Sequence, residues 1–570
     1  MAENRVIGSC VSRALKPPTD MDRQNHAALP TLLATQPERG KLAYLIIFQG
    51  LFCGPNEVFV MTAHQSPKAA RSPLAEFPIS DKCLGATPKF EDAPTWIYNH
   101  DNPYLHGVYA PTTRELDKDK LTVIGELPSD LRGAYYRNGA NPVFEPKNRY
   151  HPFDGDGMVH AVHIGDDGAR YVNRWIETPA FIDEGAAGES VSPGVMGPFD
   201  YSVSEFGIKD TSNTDIFCLN GDLVSLWYNA GNPIALDPTT LETRKAFHLD
   251  GRNKPKMSAH SKVDWRTGEL LYFDYNDTPP YMTYGVANAK GEVVHEVPID
   301  LPGARLPHDI GFTQNYTVLH DLPFFHDLDV LKNHKLRVLT FHRDIPTRFG
   351  LIPRFGESNT IRWFDCEPCY ILHVSNCWEE GEWVVMDGCR SVNPMPKAYG
   401  DEGELSHMLA YMRLEANNYR WRFNLVTGEV REGDIDDLNT EFNKTNPLYG
   451  GQKSRYAYHQ YIPTHEEGGY TLRFTGLVKY DNETGKSWRY NYGEGVLGSE
   501  AVYAPKLGAT SQSEEDDGYV VNFVHDTEDW SSWFCVYDAK DIEQGPIAKV
   551  KLPGRVPAGF HATWVPAASE

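Results

Sequence analysis

The sequence predicts an all-β fold, and within that class a β-propeller. Three observations carry the prediction. Turn signals of one chemistry recur along the chain: Asp166-Asp167-Gly168, Asp237-Pro238-Thr239-Thr240, Asp264 to Glu269, Asn288 to Glu292, Asn424 to Glu429 and Asp481 to Lys486. Each follows one apolar run and precedes another, as expected of Asx-type turns with glycine where φ must be positive. From about residue 100 to 566 the chain consists of short runs rich in Val, Tyr, Trp, Thr and Phe, with few amphipathic stretches of helical period. Finally, four histidines sit in apolar, strand-like surroundings: His260, His308, His373 and His561, spaced 48, 65 and 188 residues apart. Those spacings are far too wide for a local zinc finger. The inner strands of a propeller line one axis, so residues distant in sequence can meet there, which favours a propeller over a sandwich. The repeats are too degenerate to give a blade count.

Taken in order, residues 1–95 do not read like the rest. They hold scattered Pro, Gln, Ala and Ser and one apolar island, Leu42 to Cys53. The island is well short of the ~20 apolar residues of a spanning helix. It also lies too far from the start for a secretory signal. Residues 1–95 are therefore expected to be a non-structural leader, disordered, membrane-touching or upstream of a true start at Met61, and residues 96–570 a single domain.

The formal charge of -24, from 54 basic and 78 acidic residues, argues against nucleic-acid binding, which wants a basic surface. Nine cysteines, an odd number without framework spacing, point to reduced thiols in a cytoplasmic protein. The tight pair Cys366-Glu367-Pro368-Cys369 runs into a β-like stretch and lacks a second pair, so both are expected to be core thiols.

A histidine in a packed apolar strand needs a partner for each ring nitrogen, and convergence on one metal would supply it. Imidazole suits Fe, Zn, Cu or Ni, so the residues alone do not name the ion. Ligand histidines usually donate their other N–H to a carboxylate. Glu441 and Glu500 lie in strand contexts that suit this, although a surface position reads equally well for each.

Several motifs then resemble the carotenoid cleavage oxygenases, which include apocarotenoid and stilbene-cleaving dioxygenases and the retinoid isomerase of the eye. Tyr136 to Pro142 and His151 to Ala161 look like that family's N-terminal signature. Ala259-His260 through Glu269, Pro307-His308-Asp309 through Thr313, His373 through Glu379 and Gly559-Phe560-His561 through Pro566 each resemble a ligand segment. The resemblance implies a seven-bladed propeller under a dome of loops, and an apolar tunnel leading to a non-haem Fe(2+) held by His260, His308, His373 and His561. It implies cleavage of a C=C bond by O2 into two carbonyl products, and it makes Glu441 and Glu500 two of three glutamates that orient ligands. The third position departs: Leu226 to Pro233 places Asn229 at or beside it, which implies an amide beside His308. Asparagine can still accept an imidazole N–H, without the charge.

The remaining conspicuous residues draw plainer expectations. His151, His160 and His163 are expected to be structural or exposed, and Asp154 and Asp156 to shape a turn, since a calcium loop's terminal Glu is absent. Residues 180–210 are too irregular for a blade and read as part of the dome or as a surface loop.

For substrate, the resemblance implies that stilbene-cleaving members hold a 4-hydroxyl with a Tyr and a Lys. Tyr150 could serve as the Tyr, but Asn173 to Phe181 contains no Lys. Deprotonating a phenol without a cation is harder, which favours a carotenoid or apocarotenoid. The alternatives are a stilbene or phenylpropenoid dioxygenase with the same iron, an isomerase, and a non-catalytic propeller. The expected partners are a lipophilic polyene and O2, with peripheral contact to a membrane, no nucleic acid and no obligate protein partner.

Overall fold

The computed structural model describes residues 88–249, 256–395, 412–464 and 471–567. Most of the expected leader, including the apolar island and Met61, lies outside them. Within the described part, Phe90, Ala93 and Ile97 pack against Tyr104, Leu105, Tyr150 and Met412.

Seven antiparallel blades follow one another. The first is Gly133–Ala140, Gly157–Gly165 and Gly168–Trp175, and the next six begin with Asp215–Leu219, Lys262–Asp264, Gly311–Phe312, Tyr370–Glu380, Thr440–Lys444 and Val496–Gly498. The ring closes through the last strand: Ala562–Pro566 pairs with the first blade, from Ala562 opposite Arg137 to Pro566 opposite Gly133. The expected propeller is thus present.

Local chemistry explains the hairpins. Gly168, Gly268, Gly291, Gly428 and Gly485 all take positive φ, between 69° and 97°. The turn at Asp237, which has no glycine, puts Leu241 in that region instead, at φ 63°. Between blades the core is aromatic and aliphatic; Val318, Phe349 and Leu351 of the fourth blade meet Ile371, Trp421 and Phe423 of the fifth. This burial is the main stabilising term.

Two α-helices occur among the described residues, α1 (Pro179–Ala187) and α2 (Leu328–His334). The hydroxyl of Thr178 accepts the amide of Phe181 to start α1, and Gly188 ends it at φ 75°. Residues 180–210 therefore begin with a helix and form no blade; their Phe199 and Ile208 pack on Trp227 and Leu331. Cys366 and Cys369 are buried free thiols, in agreement with the sequence reading.

Candidate metal centre

Each of the seven blades brings one polar group to the axis, within or close to its inner strand. His260 and His308 lie in the short segments leading into Lys262–Asp264 of the third blade and Gly311–Phe312 of the fourth, His373 lies within the inner strand of the fifth, and His561 immediately precedes Ala562–Pro566. The sixth, seventh and second blades bring Glu441, Glu500 and Asp215. The inner strands are not regular here. His373 lies where the pairing of its strand shifts register, between Ile371 and Val374. His260 and Phe442 take φ of 68° and 55°. Such backbone is costly for a residue with a Cβ and persists only where its surroundings impose it.

The four predicted histidines do converge. Ring centroids of His260 lie 4.7, 4.8 and 4.4 Å from those of His308, His373 and His561. Ligand-type atoms of His260, His373 and His561 all fall within 4.8 Å of one another. Each Nδ1 faces an oxygen on the outside of the cluster: His373 that of Glu441 at 2.5 Å, His561 that of Glu500 at 3.0 Å, His260 that of Asp215 at 3.2 Å, and His308 the carbonyl of Leu372 at 2.9 Å. Nδ1–H donation to these acceptors leaves the Nε2 lone pairs pointing inward. Nε2 of His373 and His561 then meet at 3.2 Å, lone pair to lone pair, and Nε2 of His260 is buried without a hydrogen-bond partner. A cation between them is what this donor set fits.

Burial dominates the electrostatics. It drives all four imidazoles far below the usual histidine range, His308 to about 3, and so keeps them neutral. The same burial lifts the Glu441 carboxyl well above its ordinary range and Glu500 to about 7, the latter opposed by the Lys444 ammonium. The carboxylates also pin backbone: Glu441 accepts Phe442 N at 2.6 Å, Glu500 accepts Ala562 N at 2.5 Å and Asp215 accepts His260 N at 3.0 Å. Each therefore fixes a stretch of backbone as well as a ring.

One expectation fails. Asn229 does not meet His308; its amide oxygen accepts Arg337 Nη1 at 2.8 Å. Ala230 at φ 52° turns the segment there, and the imidazole finds the Leu372 carbonyl instead. The sequence reading missed Asp215. The available signal was its place directly before the apolar run Ile216-Phe217-Cys218-Leu219. His151 caps a short 3-10 turn, and its amide is held by Asp154, while Asp156 pairs with buried Lys209 at 2.6 Å, so both aspartates are structural.

The sequence profile described as "Retinal pigment epithelial membrane protein" matches residues 109–566. The chain is 35% identical over 506 residues to carotenoid 9,10(9',10')-cleavage dioxygenase 1 of Phaseolus vulgaris, covering 82% of this chain and 91% of that one. The chain belongs to the carotenoid cleavage oxygenase family. It is 30% identical to isoeugenol monooxygenase of Pseudomonas nitroreducens, over 82% of this chain and 99% of that one. Among solved structures, Pseudomonas brassicacearum lignostilbene dioxygenase superposes with TM-score 0.73 at 26% identity, over 82% and 99% of the two chains. Synechocystis apocarotenoid oxygenase, at TM-score 0.71 and 24% identity over 81% and 98%, shares the fold.

In this oxygenase the histidine cluster separates two cavities. The apolar one, about 60 Å³, is walled by Phe153, Leu372, Met412, Phe442, Leu472 and Phe560 and reaches His308, His373 and His561. None of residues 180–210 lines it, and neither does Tyr150, which is buried beside Tyr104 and Met412. The other, about 210 Å³, runs along the propeller axis and reaches His260 and His373.

Proposed function

We propose that the chain is a non-haem Fe(II) dioxygenase that cleaves a C=C bond of a carotenoid or apocarotenoid, with His260, His308, His373 and His561 holding the iron. The inward lone pairs of four neutral imidazoles are the observation that carries this reading. Neutral ligands leave a divalent ion its full charge, and the metal when bound supplies the activation of O2 that a closed-shell polyene lacks. Glu441, Glu500 and Asp215 hold the Nδ1 protons and so fix which nitrogen faces the metal. Phe153, Phe442 and Phe560 give a polyene an apolar bed beside the cluster and exclude water. The balance is simple: the alkene and O2 give two carbonyl fragments, with no reducing cosubstrate.

Incorporation of label from 18O2, run on apocarotenals and a hydroxystilbene, tests the reading. Label in both carbonyl fragments of an apocarotenal supports it. Turnover of the hydroxystilbene alone would move the assignment to a stilbene-type dioxygenase, the reading that the lignostilbene and isoeugenol relatives favour. Product with unbroken carbon skeleton and no label would make the chain an isomerase. We further propose peripheral contact with a membrane that stores the substrate, read by sedimentation with liposomes. Among the described residues no helix is long and apolar enough to cross a membrane.

A further inference from the structure

The polar well on the propeller axis has no part in substrate binding as read above. Its relation to the metal centre is visible in the order of residues along four inner strands. Thr214, Leu372, Phe442 and Phe560 face the apolar cavity, whereas Asp215, Val374, Asn443 and Ala562, one or two residues later, face the well. The chain thus passes from one cavity to the other at the histidines, which form the floor between them.

The two cavities offer a hydrated cation very different surroundings. An ion shedding its water needs replacement oxygen or nitrogen donors, and taking it past apolar walls without them is costly. The apolar cavity presents mainly rings and aliphatic chains up to the cluster. The well presents the carboxylates of Asp215, Asp309 and Glu500 and the amides of Asn376 and Asn443. Lys262 pairs with Asp309 at 2.7 Å and Lys444 with Glu500 at 3.4 Å, while Asp215 has the His260 imidazole beside it, at 3.2 Å, and its carboxyl stays below the ordinary range. A cleft of that composition draws in cations.

We propose that the axial well is the route by which the divalent metal reaches and leaves the four histidines, while the apolar cavity is reserved for the organic substrate. This rests on the reading of the histidines as metal ligands. It makes the ion exchangeable even when a polyene fills the other side.

The test uses the full-length protein with cobalt(II) as probe. Loading of chelator-stripped protein and release from loaded protein into excess chelator are both followed by cobalt absorbance. Thr445 is half-buried on the wall of the well, and Thr445→Trp narrows it from the sixth blade. Met412→Trp narrows the apolar cavity. Because a plugged route must open before the ion can pass, Thr445→Trp is expected to slow loading and release together by roughly tenfold or more, leaving their ratio unchanged. Met412→Trp is expected to exchange cobalt like the parent. Parental rates in Thr445→Trp, or slowing confined to Met412→Trp, overturn the proposal. Thr563→Phe narrows the same well from the first blade and decides the matter if Thr445→Trp does not fold. A parent that takes up no cobalt would sink the metal-site reading itself, whereas full uptake with unchanged rates would sink only the route.

Discussion

Glu441 takes the ring N–H of His373 and the amide of Phe442 on one oxygen, so a single carboxylate sets both a tautomer and a strained backbone. Glu441→Gln keeps the shape but puts an amide in place of the carboxyl that takes the His373 ring N–H, and is expected to lower divalent-metal affinity about 10–100-fold. Asp215→Asn is expected to do the same through His260, whereas Asn229→Ala should leave affinity within about twofold because the side chain touches no ligand. Chelator competition with cobalt or zinc reads all three. At this scale the sequence was legible where residue type is improbable in its surroundings. A histidine in an apolar strand is conspicuous; a glutamate is ordinary anywhere on a surface, so Glu441 and Glu500 could be nominated but not paired with their rings. Asp215 hid in Asn213-Thr214-Asp215, which reads as turn chemistry. The sequence placed Asn229 near the third position and could not reveal that Arg337, over a hundred residues away, claims its oxygen.

The fifth blade shows how an element positions a histidine of the cluster. His373 lies where its strand loses register with Trp383–Ser391, and Gly388 opposite leaves room for it: a Cβ there would sit 3.0 Å from the His373 carbonyl oxygen and 3.4 Å from Val374 Cα. Gly388→Val is expected to push that strand outward, costing about 1–3 kcal/mol of stability. It should release metal faster than the parent, seen as a lowered thermal midpoint together with accelerated cobalt loss. The turns that join strands were readable because each demands a particular backbone and shows it in Asp, Asn and Gly. Blade number was not, for two physical reasons. The fourth blade is interrupted after Tyr316–Asp321 by the hairpin of Phe324–His326 and Leu339–Phe341 with α2 between them, which spoils the spacing. The first blade takes its inner strand from the other end of the chain.

For the molecule as a whole, that borrowed strand ties the fold to the metal centre. Ala562–Pro566 closes the ring, and His561 beside it completes the cluster, so removing residues 556–570 is expected to abolish metal binding and to lower the cooperativity of unfolding, checked by metal analysis and thermal melts. The buried histidines also set a pH dependence. Burial holds His459, flanked by Thr440 at 3.1 Å, at about 3, far below the value near 6.5 of an unfolded chain. A depressed value means that the unfolded state binds the extra proton. The stabilising contribution is present above pH 6.5 and is lost as pH falls toward 3. The stability of the parent relative to His459→Gln should accordingly rise across that window and level off above it, as measured by denaturant unfolding at a series of pH values. A difference that stayed flat would show that His459 is not held neutral by burial.

Four of the seven blades focus four neutral imidazoles on one point, and the proposed function stands or falls with an iron ion held there. Metal content of protein purified without oxygen tests it most directly, beside single alanine variants of His260, His308, His373 and His561. Near-stoichiometric iron is expected in the parent, and a loss of it in every variant whose fold, judged by circular dichroism, is intact. A parent without bound metal, or folded variants that hold as much iron as the parent, would contradict it.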